Sequence, residues 1–152
     1  MSVVARLEED VLRPEEELAA LLERAKGDGA VVSFTGVARP GGDPGRSVDR
    51  LVLEHHPTLT LQSLEEIAVE AAARFEISHV QIVHRCGDVA AGEPIVFAGA
   101  ASAHRRAAFE AADYLMDRLK TEAVFWKREI GEGGAEWIEP TDTDYADRER
   151  WD

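Results

Sequence analysis

PIVFAGAASAHRRAAFEAADYLMDRLKTEAVFWKRE, residues 94–129, runs from an apolar stretch into an alanine-rich segment and out into a β-prone end that carries cations. PIVFAGAAS (94–102) is apolar at nearly every position, which marks a central strand covered on both faces. HRRAAFEAADYLMDRLK (104–120) sets Ala108, Ala111, Ala112, Leu115, Met116 and Leu119 at three- and four-residue spacing, the pattern of a helix with one apolar face. Ser102 stands where an N-cap is expected, and Lys120 closes the helix at its negative end. VFW (124–126) is β-prone and opens another strand. Lys120 and Lys127 therefore come from different elements, and only tertiary folding can bring them together.

Working outward, VVARL (3–7) reads as a short edge strand, and Pro14 followed by acids as a helix start. AVVSFTGVAR (30–39) is a strand ending at Arg39, and PGGDPGRS (40–47) a mobile loop. That loop lacks the G-x-x-x-x-G-K-[ST] spacing of a phosphate loop and leads into a strand, SVDRLVLEHH, rather than a helix. Pro57 to Phe75 is a helix, HVQIVHR (79–85) a strand and Gly87 to Gly92 a turn. GEGGAEWIEP (131–140) reads as a hairpin turn with a partner strand around Trp137. TDTDYADRERWD is a polar tail in which Trp151 hints at docking. Helices separated by strand pairs predict an α+β fold and not a doubly wound parallel sheet.

The chain has 152 residues and a net charge of −13. That charge argues against general nucleic-acid binding and against an anionic membrane surface. No apolar stretch is long enough to cross a bilayer, and the N-terminus has acids where a signal peptide needs an apolar region, so the cytoplasm is the expected location. The single cysteine, Cys86, excludes an internal disulfide and a cysteine zinc cluster, and it reads as structural. His55, His56 and His84 form no metal-binding spacing, so no metal site is expected.

Between His104 and Arg128 the balance reverses locally, with cations outnumbering acids. Such a patch on an acidic body suits a small anionic ligand, although helix surfaces carry Lys and Arg in any case. His104, Arg105 and Arg106 crowd a helix N-terminus, where positive charge is unfavourable unless something negative binds or an acid elsewhere pairs with it. A lysine at a helix C-terminus is favoured for stability alone, but apolar neighbours such as Leu119, Phe125 and Trp126 can lower its pKa and make it a nucleophile or proton carrier. Lys127 follows Trp126 on a strand and faces the other way. Arg39 is either a ligand residue at a strand end or a surface arginine.

GAVVSFTGVAR, LEHHP, VHRCGDV, the 94–129 stretch and the late W-I-E together resemble the MoaE family, the large subunits of molybdopterin synthase, from about residue 29 to residue 139. The resemblance implies an α/β-hammerhead with an additional antiparallel β-sheet, in one catalytic domain over 1–140 with 141–152 as tail. It implies conversion of cyclic pyranopterin monophosphate to molybdopterin, with sulfur from the C-terminal Gly-Gly thiocarboxylate of a small ubiquitin-like subunit. It also implies a homodimer at the core of a heterotetramer, and no metal or cofactor for this step. Lys120 and Lys127 match the family's catalytic lysines. Val37, Ala38, Arg39, His104, Arg105, Arg128 and Glu129 match its substrate-contacting positions. His56 stands where the family often has an aromatic, a change expected to adjust the pocket wall. Val124 stands where it often has a proline, which lets strand structure begin earlier. A non-catalytic scaffold of the same fold, binding pterin or the small partner, is the alternative reading.

Overall fold

The computed structural model describes residues 2–41 and 47–152. Among these residues the chain order is β1 (Ser2–Glu8), α1 (Pro14–Arg24), β2 (Ala30–Val37), β3 (Arg50–His55), α2 (Leu59–Arg74), β4 (His79–Arg85), β5 (Gly87–Ala90), β6 (Pro94–Ser102), α3 (Arg105–Glu122), β7 (Phe125–Gly131), β8 (Gly134–Ile138) and α4 (Asp142–Glu149). The strands form two sheets, ordered β1-β4-β6-β2 and β5-β3-β7-β8. The fold is α+β, and its topology matches the hammerhead-like arrangement expected. β1 lies parallel to β4 at one edge, and every other pairing is antiparallel.

β6 is apolar at nearly every position and β4 is buried from Val80 to Arg85, because both faces of this central pair are covered. On one face α2 and α3 bring Leu64, Ile67, Ala111 and Leu115 against Val80, Ile82, Ala98 and Ala100. On the other, Leu12, Leu21 and Ala25 pack on Val83, Phe97 and Ala101. The alanine-rich face of α3 lets its backbone lie close to the strands. Gly99 serves the opposite face, where a Cβ would come within 2.6 Å of Leu21 Cδ2.

Several expectations are corrected. Gly87–Gly92 is not simply a turn: Gly87, at φ +83°, redirects the chain, and Gly87–Ala90 pairs with β3 as β5. The second sheet gains an edge strand, and Val89 is fully buried in its small core with Ala38, Leu51 and Leu53. Ser102 does not cap α3: His104 is the N-cap residue, and the Ser102 hydroxyl instead donates to the Glu76 carbonyl at 2.9 Å. The segment expected to be a polar tail forms α4, opened by a capping box in which Thr141 and Asp144 satisfy each other's backbone N–H. Trp151 docks as its aromatic character hinted, with ring centroids 5.7 Å from Phe75 and 5.5 Å from Tyr114. Most of the 40–47 loop, residues 42–46, lies outside the described residues.

Where β7 ends, the backbone passes so close to Ser47 that a Cβ on Gly131 would stand 2.0 Å from the Ser47 carbonyl oxygen, whereas one on Gly133 would meet nothing. Gly131→Ala should therefore cost ~1–3 kcal/mol in urea unfolding and Gly133→Ala close to nothing. Equal costs would contradict the close approach.

Candidate functional site

A cavity of about 330 Å³ opens where the end of α3 meets β7 and the second sheet. Its apolar wall includes Leu51, Leu53, Ile95, Phe125 and Ile138. Three cations reach it from three different segments: Arg39 just beyond β2, Lys120 in the last turn of α3 and Lys127 in β7. Glu129, Glu139 and Asp144 also line it, as do Val37, Ala38 and Tyr145.

Local structure explains the convergence. α3 continues two residues past Lys120 and ends at Glu122, and β7 starts at Phe125. The short link is pinned from α2. The fully buried Thr60 donates its hydroxyl to the Val124 carbonyl at 2.6 Å, and the Val124 N–H donates to Ser63 Oγ at 3.1 Å. Val124 thus does not begin the strand early; it supplies an N–H that a proline lacks. His56 is likewise not in the cavity wall. Its Nδ1 accepts from the N–H groups of Thr58 and Leu59, at 3.1 and 3.0 Å, and so caps α2 where Thr58 makes no side-chain cap.

Strand alternation then sorts β7. Phe125, Lys127 and Glu129 face the cavity, while Trp126 lies half exposed on the opposite side. Arg128 shares that outer side, over the Trp137 ring at 5.3 Å and 3.5 Å from Glu54 Oε1, so it does not line the cavity. His104 and Arg105 are exposed at the other end of α3 and do not line it either. Of the residues singled out in the sequence, Val37, Ala38, Arg39, Lys120, Lys127 and Glu129 meet at this cavity. Asp144 and Tyr145 were missed with α4, although T-D-T-D at 141–144 has the spacing of a capping box.

Burial, followed by the neighbouring Lys120 charge, lowers the Lys127 pKa to about 8, and Asp144 acts in the opposite sense. Among the described residues the Lys127 ammonium has no hydrogen bond or ion pair. Behind the wall, His84 stacks on Phe125 at 4.2 Å and 26°, and its Nδ1 pairs with the Arg85 carbonyl at 2.8 Å. Burial holds this imidazole neutral, with a pKa of about 3, and the Lys127 and Lys120 charges add to the effect. Cys86 is buried, and burial raises its thiol pKa, as suits a structural residue. No group of three or more His, Cys, Asp or Glu among the described residues could hold a metal ion, and no helix among them is long and apolar enough to cross a membrane.

The fold thus sets a partly desolvated lysine beside a second lysine in one cavity at the border of the two sheets. A family model described as MoaE protein matches residues 7–122. The molybdopterin synthase catalytic subunit of Pseudomonas aeruginosa is 45% identical over 147 residues, covering 97% of each chain. Its Escherichia coli counterpart is 46% identical over 136 residues, covering 90% of this chain and 89% of that one. The solved MoaE protein of Burkholderia ambifaria superposes with a TM-score of 0.81 at 38% identity, covering 99% and 98% of the two chains. The chain belongs to the MoaE family of molybdopterin synthase catalytic subunits. The likeness extends through β1 and α1, further toward the N-terminus than the motifs alone carried it.

The half-buried ammonium has a consequence for stability. Lys127 titrates near 8 when folded and near 10.5 when unfolded, so the unfolded chain binds more protons between those values. Lys127→Met should thus stabilise the fold by ~1–3 kcal/mol at pH 7. The gain should shrink as pH rises from 8 toward 10.5, read by urea unfolding. A destabilised Met variant at pH 7 would show that the charge is compensated.

Proposed function

We propose that this chain is the catalytic subunit of a cytoplasmic molybdopterin synthase. It transfers sulfur from the C-terminal thiocarboxylate of a small ubiquitin-like carrier to cyclic pyranopterin monophosphate. The observation that carries the reading is the convergence of Arg39, Lys120 and Lys127 on one cavity. Both reactants are anions. The cyclic phosphate and the thiocarboxylate each need cationic partners, and a partly apolar cavity strengthens those contacts by excluding water.

In this account the carrier's Gly-Gly tail enters the cavity with its thiocarboxylate toward the lysines. Its sulfur attacks a side-chain carbon of the pyranopterin, forming a C–S bond. The oxygen displaced from that carbon leaves with a proton from a lysine ammonium, and water later releases the carrier as a carboxylate. A second carrier supplies the second sulfur. Lys127 can both give and recover a proton near neutral pH, which suits general acid–base work. Lys120, exposed at the cavity edge, meets the tail. Its neutral amine can attack the thioester carbonyl, break the C–S bond to free the pyranopterin thiolate, and leave an amide that water hydrolyses to the carrier carboxylate. Arg39 and Glu129 contact the substrate.

His104 and Arg105 fit the same reading only in a homodimer. Lys120 follows Arg105 by fifteen helical steps, about 22 Å along α3. Within one chain they cannot share a ligand with Lys120. A second copy can supply them to the cavity, as the core of a heterotetramer with one small subunit at each end.

The test is reconstituted turnover with thiocarboxylated carrier and cyclic pyranopterin monophosphate. The wild type should form the dithiolene product. Lys120→Ala should lose at least ~100-fold in rate, and Lys127→Ala at least ~10-fold, in line with removal of a positioned acid–base group. No product from a folded wild-type complex that binds both reactants would leave a binding scaffold in place of an enzyme. Full activity in Lys120→Ala would remove that residue from the chemistry.

A further inference from the structure

The C-terminal helix is bound into the molecule more firmly than its polar sequence suggests. Arg150 Nη2 lies 2.7 Å from Asp117 Oδ2 and 3.2 Å from Asp113 Oδ2, both on α3. The Trp151 indole N–H donates to the same Asp117 oxygen at 2.7 Å, and Arg148 Nε donates to Glu122 Oε2 at 3.0 Å. The Trp151 ring closes against Phe75 and Tyr114, with the Arg74 guanidinium 5.5 Å from its centroid. An exposed ion pair alone contributes little, but this network shares acceptors and encloses a tryptophan. It fixes α4 along the half of α3 that carries Lys120.

So anchored, α4 brings Asp144 to the cavity that holds Lys127. One Asp144 oxygen, Oδ2, accepts from the Thr141 N–H at 2.9 Å in the capping box, which sets the carboxylate's orientation. No hydrogen bond among the described residues engages its other oxygen. Around Lys127 stand Lys120 from α3, Arg39 beyond β2, Glu129 from β7, Glu139 after β8, Asp144 and Tyr145 from α4, and the neutral His84 behind Phe125.

We propose that Asp144 is a positioning residue for Lys127, and that the docking of α4 on α3 holds its carboxylate where it keeps the half-buried ammonium protonated. The proposal rests on Lys127 serving in the reaction above, where a lysine that lost its proton too early could neither hold an anion nor act as an acid. The electrostatics agree in sign: Asp144 is the carboxylate that opposes the lowering of the Lys127 pKa by burial and by Lys120. The C-terminal helix thereby becomes part of the active site without touching the reacting atoms.

The experiment is pH-dependent acetylation of Lys127 in the folded chain, read by peptide mass spectrometry, in the wild type, Asp144→Asn, Trp151→Ala and Glu149→Gln. Asparagine keeps an oxygen for the Thr141 N–H, so Asp144→Asn should preserve the cap while removing the charge. Its Lys127 midpoint should fall by ~0.5 pH unit or more. Trp151→Ala should shift it in the same direction by loosening α4. Glu149→Gln, a change of equal charge on the same helix away from the cavity, should leave it in place. An unchanged midpoint in Asp144→Asn or in Trp151→Ala, or an equal fall in Glu149→Gln, would overturn the proposal. Labelling needs neither carrier nor pyranopterin, so its outcome is separate from that of the turnover assay.

Discussion

Covering both faces of β4 and β6 is the constraint from which the rest of the architecture follows. The apolar residues of β6 and of β4 (Val80, Ile82, Val83) point to both faces and need helices on each side, and α2 and α3 on one face and α1 on the other provide them. Once α3 is laid along β6 its C-terminus is carried to the border of the second sheet. The chain then has only Ala123 and Val124 in which to turn into β7. Lys120 and Lys127 meet because that turn is short and is held from α2 by Thr60 and Ser63.

The same geometry makes the site expensive. Two ammonium groups share one cavity, and the inner one, half-buried, is partly removed from water. A protein that needed only to fold would place an apolar residue at Lys127. The surroundings moderate the cost in two ways. His84, which stacks behind Phe125, is kept neutral and adds no third charge. The opposing carboxylate comes from α4, the last helix of the chain. Much of the fold's polar detail, from the His56 cap on α2 to the capping box of α4, serves to fix the segments that carry the cavity wall.

The central layers were legible in the sequence because their patterns are strong and local. HVQIVHR and PIVFAGAAS coincide with β4 and β6 residue for residue, and the opposite facing of Trp126 and Lys127 followed from strand alternation. β5 was not legible, because four residues between two glycines carry no periodicity, and only Val89 betrays burial. α4 was masked by its polarity: its stability comes from a capping box and from tertiary ion pairs that composition does not reveal. The separation of His104 and Arg105 from Lys120 was legible too, since a helix over 104–120 puts them at opposite ends. A resemblance gathers site residues without saying which of them share one cavity.

The most direct test of the account is the structure of this chain with cyclic pyranopterin monophosphate bound. The account predicts the ligand in the cavity between the sheets. Its phosphate should lie within hydrogen-bond distance of Arg39 or Lys127, and His104 and Arg105 of a second copy should complete the contacts. A ligand bound elsewhere, or one bound in the cavity with no contact to Arg39, Lys120 or Lys127, would contradict it.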